Sequence, residues 1–257
     1  MGKFDDLRGL TQACPYITVR LAGLNVGVSP LHEETLTFLR DFRVDDAFCD
    51  VRVRISKKDV DSERAASVRD DQAAGRDVRH FSDAYLESLA VLRKVAEWLP
   101  TRRRMLMHGA AVEYDGRAYM FCAPSGTGKT THIRLWREHI GDAVRVVNGD
   151  KPFVEVPFEG APVVYGTPWA GKEGWQRNAS APLSGICFLG QAIASRVRAL
   201  EPIEALDRAV QQVYLPADSE AAGLTLELLD GLLSRVPLYT LECDMSAEAV
   251  RCSFEAM

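Results

Sequence analysis

Residues 123–131 read Ala-Pro-Ser-Gly-Thr-Gly-Lys-Thr-Thr, the pattern of a loop that binds a chain of phosphates. Gly126 and Gly128 allow the backbone to curl so that successive amides point at an anion. Lys129 supplies a mobile positive charge for the outer phosphates, and Thr130 supplies a hydroxyl ligand for Mg²⁺. The pattern predicts a nucleotide-binding loop formed by Ser125, Gly126, Thr127, Gly128, Lys129, Thr130 and Thr131.

The segments on either side of this loop fit that prediction. The apolar run 118–122 predicts a strand leading in, and Ile133, Trp136 and Ile140 recur at helical spacing after the loop. Gly141 is placed to end the helix predicted over 131–140. The positive end of that helix would add its own attraction for an anion.

The strand entering the loop carries a hairpin signal. Asp115-Gly116 separates the apolar runs 110–114 and 117–122, and Asp-Gly between such runs is typical of a two-residue β-turn. Most doubly wound folds have a helix at this point. The sequence therefore predicts an α/β (α+β) chain with a mixed sheet.

Composition describes a globular chain and argues against some classes of partner. The 257 residues are 47% hydrophobic and 26% charged, with a net charge of −5, which gives no reason to expect nucleic acid as a partner. The six cysteines are scattered without a Cys-x-x-Cys pair, as reduced thiols are. With no apparent signal peptide or long apolar run, we expect a cytoplasmic protein without a membrane partner.

The first hundred residues predict a small α+β region. Residues 16–21 and 24–28 predict a hairpin around Ala22-Gly23, and 31–42 predict a helix with Leu31, Phe38 and Phe42 on one face and Leu39 at its edge. Residues 47–55 alternate as a strand, with Cys49, Val51, Val53 and Ile55 on one side.

The next segment, 56–80, is rich in charge and nearly free of large apolar residues. It predicts a mobile, solvated excursion, with a substrate lid as the alternative. A helix capped by Ser82 then carries an apolar stripe to Trp98, and Pro100 stops it. We therefore divide the chain into a region 1–100 and a P-loop domain 101–257.

Three further stretches carry candidate chemistry. Residues 143–147 predict a strand that ends at Asp150, where an acidic side chain can hold Mg²⁺ or take the acceptor's proton, although Asn-Gly-Asp also suits a plain turn. The loop 166–174 either closes over a nucleotide or acceptor through Trp169 and Lys172, or is a turn with Trp169 packed inward. The basic run 101–104 reads as a solvated turn or as an anion contact.

The remaining segments predict strands and covering helices. The expected strands are 152–156, 162–165, 183–189 and 238–243, and the expected helices are 203–214, 219–236 and 246–257. His108, just before the hairpin, is either a satisfied structural residue, as a lone histidine commonly is, or a functional one, since it is the histidine placed near the sheet edge that carries the loop.

These motifs together resemble the kinase domain of bacterial HPr kinase/phosphorylase. The shared features are His108-Gly109 before a hairpin, the loop Ser125–Thr131 and the strand ending at Asp150. The loop also resembles that of ATP-dependent phosphoenolpyruvate carboxykinase. Uncharacterised HPr-kinase-like proteins are similar over Ser125 to Trp136, Asp150 to Pro152 and Gly166 to Lys172.

The resemblance implies a PEP-carboxykinase-like fold and phosphoryl transfer from ATP, with Mg²⁺, to a hydroxyl, of the serine type. It implies that Lys129 binds the β- and γ-phosphates, that Thr130 and Asp150 hold Mg²⁺, and that His108 lies beside the transferring phosphate. Trp169 and Lys172 belong to the family's loop that touches phosphate or acceptor. A serine in a peptide or small protein is the expected acceptor, and a small-molecule hydroxyl is the alternative.

The sequence departs from the family in two places. HPr kinases carry a pair of aspartates where this chain has Gly149-Asp150, and the family signature Glu-x-Arg-Gly-x-Gly is absent. The general base and the reverse phosphorolysis are therefore open, HPr is not assigned as the acceptor, and a non-catalytic ATP-binding regulatory module remains a rival. Oligomeric state is open too, with a homo-oligomer among the alternatives.

Overall fold

The computed structural model describes residues 16–45 and 48–257. These residues divide into two compact units, one made of most residues up to Val91 and the other of Leu92–Met257 together with the turn Arg20–Leu24. Within the described ranges, no helix has the length and apolar character needed to cross a membrane. The predicted α/β class with a mixed sheet is confirmed, because parallel and antiparallel strand pairs occur in one sheet flanked by helices.

The smaller unit is built on a four-stranded sheet. Its strands are β1 (Ile17–Leu21), β2 (Leu24–Ser29), β3 (Arg43–Val44) and β4 (Val51–Arg54), in the order β3-β1-β2-β4. β1 and β2 flank the predicted turn at Ala22-Gly23, where both residues have positive φ. The strand expected over 47–55 is shorter than predicted, and Ala47 lies outside the described residues.

The helix predicted over 31–42 is divided into two pieces. Helix α1 covers only Glu33–Phe38, and a 3₁₀ turn follows at Arg40–Phe42. The predicted face is partly wrong, since Leu39 and Phe42 are fully buried while Leu31 and Phe38 are exposed. The helix begins where the buried Glu87 carboxylate accepts hydrogen bonds from the amides of Leu31 and His32.

The mobile excursion predicted over 56–80 is wrong for most of its length, because helix α2 occupies Lys57–Ala73. Its low apolar content hid it from a search for an amphipathic stripe. Ser56 and Asp59 form a capping box at its start, which satisfies amides that the helix itself cannot. At its end, the buried Asp71 carboxylate pairs with Arg76 and Arg79 and fixes the chain that leaves the helix.

The larger unit holds a nine-stranded mixed sheet. Its strands are β5 (Arg104–Leu106), β6 (Ala110–Tyr114), β7 (Arg117–Cys122), β8 (Arg145–Asn148), β9 (Phe153–Glu155), β10 (Val163–Tyr165), β11 (Ser180–Gln191), β12 (Arg196–Leu200) and β13 (Leu238–Cys243). The order is β5-β9-β10-β11-β7-β6-β8, with β13 on β11 and β12 on β13. The predicted β6–β7 hairpin is confirmed, whereas β5 and β12 were not predicted.

Helices cover both faces of this sheet. α4 (Lys129–Ile140) and α7 (Ala247–Ala256) cover one face, and α5 (Pro202–Val210) and α6 (Ser219–Leu233) cover the other. Helix α3 (Asp83–Trp98) is divided between the two units. Alternate residues of β7 enter different cores: Phe121 packs with Trp136 of α4, while Met120 packs with Leu228 and its neighbours of α6. This alternation is what a strand buried on both faces requires.

Four strand ends meet at one edge of the sheet. β6 is antiparallel to both β7 and β8, so β7 and β8 run in the same direction. β11 is parallel to β7, and β13 is parallel to β11. The carboxyl ends of β7, β8, β11 and β13 therefore lie at a common edge, and the amino end of β6 lies there between the first two.

Candidate functional site

The loop predicted to bind phosphate joins β7 to α4 at this edge. Gly126 and Gly128 have φ of +84° and +119°, values that side-chain-bearing residues rarely adopt. α4 begins at Lys129, directly after the second glycine. The first-turn amides of a helix have no acceptor within the helix, so they are available to an anion at the loop.

Lys129 lies inside the loop that precedes it. Its Nζ donates hydrogen bonds to the carbonyls of Ala123 at 2.7 Å and Pro124 at 3.3 Å, and the residue is only 7% exposed. Burial lowers the pKa of Lys129, and the nearby Asp150 charge acts in the opposite direction. The ammonium group is thus held within the loop by two backbone carbonyls, and its charge interacts with that of Asp150.

The other loop residues differ in exposure. Ser125 and Gly126 are exposed, whereas Thr127, Gly128, Thr130 and Thr131 are partly buried. The carbonyl of Thr127 accepts a hydrogen bond from Gln191 Nε2 at 3.2 Å. Gln191 stands at the end of β11, so the loop is tied to the neighbouring parallel strand.

On the other side of the loop, His108 and Asp150 meet at the ends of β6 and β8. His108 Nε2 lies 3.4 Å from Asp150 Oδ1, and Lys151 Nζ lies 2.5 Å from Asp150 Oδ2. The backbone joins them too, because the Gly109 amide donates to the Asp150 carbonyl at 3.0 Å. The structure thus brings together the histidine and aspartate that the sequence indicated separately.

The Asp150 carboxylate is held in its charged form. Burial by itself raises the pKa of Asp150, but the hydrogen bond with His108 and the charge of Lys151 outweigh burial and lower the pKa to about 2. A carboxylate that stays ionised suits electrostatic or metal-binding work better than uptake of a proton at neutral pH.

Two buried polar residues that the sequence analysis did not single out fix the position of Asp150. Asn148 Oδ1 accepts from the amides of Asp150 at 2.9 Å and Lys151 at 2.8 Å, and Asn148 Nδ2 donates to Thr167 Oγ1 at 3.0 Å. Thr167 Oγ1 in turn donates to the Lys151 carbonyl at 2.8 Å. Both residues are fully buried. Their side chains join the Asp150 turn to the loop 166–174.

The two candidate side chains of the loop 166–174 differ in exposure. Trp169 is 5% exposed, with its ring 6.5 Å from that of Phe153, whereas Lys172 is exposed. The packed alternative for Trp169 is therefore the one observed. Lys172 follows Gly171, where an added Cβ would lie 3.4 Å from Asp150 Cβ, and precedes Glu173, which pairs with Arg134 of α4 at 3.4 Å.

Gly149 occupies the position where the resembling kinases have an aspartate. A Cβ at Gly149 would lie 2.5 Å from the carbonyl oxygen of Ala170, closer than such atoms approach in folded proteins. The loop backbone thus fills the space that a side chain would need. An aspartate at position 149 would therefore require the loop 166–174 to pack differently.

Gln212 is a further buried polar residue at this edge. Its Oε1 lies 3.1 Å from His108 Nδ1, and its carbonyl accepts from the His108 amide at 2.7 Å. The sequence offered no signal for Gln212, because 104 positions separate the two residues.

A cleft of about 350 Å³ opens on the opposite side of the loop. Its walls come from the loop, from α4 and from the ends of β11 and β13, and they include Leu135, Leu189, Gln191, Cys243 and Met245. Beyond the loop the lining is mainly apolar, with Gln191 and Asp244 among its polar members, a composition that suits a flat organic group.

No group of three or more His, Cys, Asp or Glu residues suited to a metal occurs among the described residues. Mg²⁺ does not require such a group, because it keeps several waters and binds through one or two carboxylates and the phosphates of a substrate. An ionised Asp150 at the edge that carries Thr130 fits this requirement.

The basic run 101–104 is occupied by local contacts. Arg104 pairs with Glu155 at 2.9 Å, and Arg103 donates to the Val156 carbonyl at 2.8 Å while lying over the Phe158 ring. These contacts favour the solvated-turn alternative over an anion contact.

Comparison with known proteins gives little beyond this geometry. No family model and no curated protein sequence matches the chain. Among solved structures, the HPr(Ser) kinase/phosphatase from Coxiella burnetii is similar with a TM-score of 0.33 and 7% sequence identity, over 59% of this chain and 89% of that chain. A TM-score of this size does not show a common fold.

Proposed function

We propose that this protein is a Mg²⁺-ATP-dependent kinase that transfers the γ-phosphoryl group to a hydroxyl. The observation that carries the proposal is the sheet edge where Lys129 and its loop stand between the His108–Asp150 pair on one side and the apolar cleft on the other. A bound ATP would then place its base in the cleft, its phosphates on the loop and its outer phosphate toward Asp150. A PEP-carboxykinase-like fold is part of the proposal.

The loop and the lysine account for nucleotide binding. Backbone amides from Ser125 to Thr131 would cradle the phosphates, and Lys129 would neutralise charge on the β- and γ-phosphates. The cleft between Leu135 and Met245 would hold the base. Thr130 and Asp150 would hold Mg²⁺, which when bound supplies positive charge to the phosphates.

The residues around Asp150 account for transfer. Catalysis of this kind depends mostly on positioning and on neutralising charge, because little covalent chemistry falls to the protein. Asp150 is fixed by the Asn148–Thr167 bonds, and His108 stands beside it where the acceptor hydroxyl would approach. Lys172, which is exposed and follows the Gly171 beside Asp150, would contact phosphate or acceptor.

The expected acceptor is a serine in a peptide or small protein, and a small-molecule hydroxyl is the alternative within the same class. A cytoplasmic location belongs to the same proposal. Gly149 favours one rival of another class, an ATP-binding regulatory module without transfer, because a second carboxylate has no space under the Ala170 carbonyl.

Transfer of labelled γ-phosphate tests the proposal. Purified wild type and Lys129→Ala are incubated with Mg²⁺ and labelled ATP, with a soluble extract as the source of acceptors. We expect a labelled peptide, protein or metabolite with wild type and at least ~10²-fold less with the variant, since the lysine neutralises transition-state charge. Lys58→Ala, an exposed lysine on α2, should label like wild type.

Binding separates the two classes of function. If ATP binding to wild type depends on Lys129 but no label reaches any acceptor, the protein is a regulatory module and not a kinase. If Lys129→Ala binds ATP and transfers label as well as wild type does, the assignment of the loop is wrong.

A further inference from the structure

The wall of the cleft that the sheet provides carries two polar side chains. Gln191 ends β11 and Asp244 follows β13, and both line the cleft. The two strands are parallel neighbours in which Gln191 lies opposite Cys243, so Gln191 and Asp244 stand on adjacent strand ends. The other side chains of this wall form no strong hydrogen bonds; they are Leu189, Ala192, Cys243 and Met245. Recognition of a polar group by side chains of this wall therefore falls to Gln191 and Asp244.

The side-chain amide of Gln191 is oriented by the phosphate loop. Its Nε2 donates to the Thr127 carbonyl at 3.2 Å. A carbonyl oxygen accepts hydrogen bonds and cannot donate them, so the nitrogen of this amide, and not its oxygen, must lie beside Thr127. Within residues 16–45 and 48–257, no group donates to the oxygen, Oε1. Gln191 thus offers a free acceptor at the wall of the cleft.

One oxygen of Asp244 is engaged and the other is available. Oδ1 accepts from Ser246 Oγ at 2.5 Å, from the Ser246 amide at 3.2 Å and from Ser195 Oγ at 3.2 Å. The Ser246 hydroxyl is the main cause of a lowered pKa for Asp244, so the carboxylate is ionised. In the part of the chain that the structure describes, no other residue donates to Oδ2. Asp244 therefore adds a second acceptor beside that of Gln191, and this one is charged.

Two available acceptors on adjacent strand ends favour a ligand group that donates. An exocyclic amino group carries two hydrogens and can donate one to each acceptor. A ring carbonyl in the same place would turn an oxygen toward Gln191 Oε1 and the charged Asp244 Oδ2 without a hydrogen to share, and polar groups would be left unpaired. Among purines, adenine carries such an amino group at position 6 and guanine at position 2, while hypoxanthine has none.

We propose that Gln191 and Asp244 are specificity-determining residues, which bind the exocyclic amino group of a purine base. The inference rests on the proposed function, because that proposal places the base in this cleft. It adds which group of the base is recognised and by which side chains. Gln191 also bonds the phosphate loop at Thr127, so one side chain contacts both the base and the loop that holds the phosphates.

Calorimetric titration of the full chain tests the inference by binding alone. Wild type with Mg²⁺ is titrated with ATP, GTP, inosine triphosphate and inorganic tripolyphosphate. Inosine triphosphate should bind at least ~10-fold more weakly than the tighter of ATP and GTP, because it lacks the amino group. Tightest binding of ATP assigns the 6-amino group, and tightest binding of GTP assigns the 2-amino group. Equal affinity for all three nucleotides overturns the inference.

Asp244→Asn should remove the preference. The Ser246 amide needs an acceptor, so the asparagine oxygen should stay at the position of Oδ1 and its nitrogen should replace Oδ2. The ratio of the inosine triphosphate Kd to that of the tighter nucleotide should fall below about 3, since a donor now stands where an acceptor was. Asp207→Asn, an exposed carboxylate on α5, should keep the wild-type ratio. A wild-type ratio in Asp244→Asn overturns the role of Asp244.

Two further readouts separate this inference from the proposed function. If Asp244→Asn does not fold, Gln191→Met and the wild-type affinities still decide, and Gln191→Met should lower the ratio about 3-fold. If wild type prefers an amino-bearing base but transfers no label, the kinase fails and the inference stands. If tripolyphosphate binds wild type as tightly as every nucleotide does, the base makes no contact in the cleft and the inference is overturned. If neither tripolyphosphate nor any nucleotide binds, both are overturned.

Discussion

Asp150 is surrounded by groups that hold it ionised and in place. His108 and Lys151 contact its two oxygens, and Asn148 accepts the hydrogen bond from its amide. Gly171 packs so close to Asp150 that a Cβ added to Gly171 would contact the Cβ of Asp150. At the scale of the residue, therefore, the protein's own groups keep the Asp150 carboxylate ionised and fix its position.

Changing Asp150 to asparagine removes the charge and keeps the shape. We expect kcat for transfer to fall at least ~10²-fold if the carboxylate holds the metal or orients the acceptor. ATP affinity should change less than about 10-fold, since the loop amides and Lys129 remain. Asp142→Asn, at the exposed start of the segment leading to β8, is the matched control. A rate for Asp150→Asn near that of wild type would remove the role.

Asp71 offers a test of electrostatics that is independent of any activity. The hydrogen bonds from the Arg79 side chain and amide lower the pKa of Asp71 from 3.8 to about 2. A carboxylate with a lowered folded-state pKa stabilises the fold above the unfolded value, and this stabilisation is lost as the pH falls through the folded value.

Denaturant titrations of wild type and Asp71→Asn across pH should follow this rule. The variant should be less stable than wild type from neutral pH down to about pH 4, and the difference should shrink as the pH falls from 3.8 to about 2. Asp70→Asn, an exposed neighbour, should show no such pH-dependent difference. A gap between wild type and Asp71→Asn that stays constant over this range would contradict the assignment.

Among the elements, the loop 166–174 and the turn at Gly149 depend on each other. The Ala170 carbonyl occupies the space beside Gly149, and Trp175 packs near it. Glu173 ties the same loop to Arg134 of α4. The loop is thus fastened to the Asp150 turn at one end and to the phosphate-loop helix at the other.

Gly149→Ala should strain this arrangement. The added Cβ would meet the Ala170 carbonyl at 2.5 Å, so either the loop or the turn must move, at a cost of about 1–3 kcal/mol in the free energy of unfolding. Gly223→Ala is the matched control, because a side chain there meets nothing within 4 Å and a helical alanine should stabilise by up to about 1 kcal/mol. Equal stability of Gly149→Ala and wild type would contradict the packing argument.

At the scale of the whole molecule, one edge of the nine-stranded sheet carries two kinds of surface, one on each side of the phosphate loop. Charged and hydrogen-bonding groups gather where β6 and β8 meet the edge, and the apolar cleft lies where β11 and β13 reach it. The phosphate loop at the end of β7 stands between them. The direction of a bound nucleotide should follow from this order of strands.

Leu135→Trp tests that direction. The indole ring would fill part of the 350 Å³ cleft. The affinity for ATP should therefore fall about 10-fold, a loss of about 1.4 kcal/mol in binding free energy. The affinity for inorganic tripolyphosphate should change less than about 2-fold, because it needs only the loop. Leu226→Trp on the exposed face of α6 is the control. An equal loss for both ligands would place the base elsewhere.

The parts of this molecule that sequence predicts are those fixed by neighbouring residues. Asp115-Gly116 indicates its hairpin, and Gly126 to Thr130 indicates its loop, because each pattern carries its own backbone requirement. β13 also matches its predicted bounds, 238–243. Helix α2 escaped prediction because a capping box and the Asp71 ion pairs define it, and an apolar stripe does not.

The site shows the same division. His108 and Asp150 stand beside recognisable strand ends, so the sequence alone is enough to propose each of them. Gln212 and Thr167 act across 104 and 19 positions, and nothing near them in the chain indicates their partners. Their roles arise only when strand order brings distant segments to one edge.

The buried Asn148 has a consequence for how the protein ages. Asparagine followed by glycine is a sequence prone to lose its side-chain amide, because the glycine amide can attack the side chain. Here both ends of the Asn148 amide are engaged, and Gly149 lies closed in under the Ala170 carbonyl. The folded chain should therefore resist deamidation at a site where the unfolded chain would be vulnerable. The Asn148 amide should be lost more slowly from folded chains than from unfolded ones.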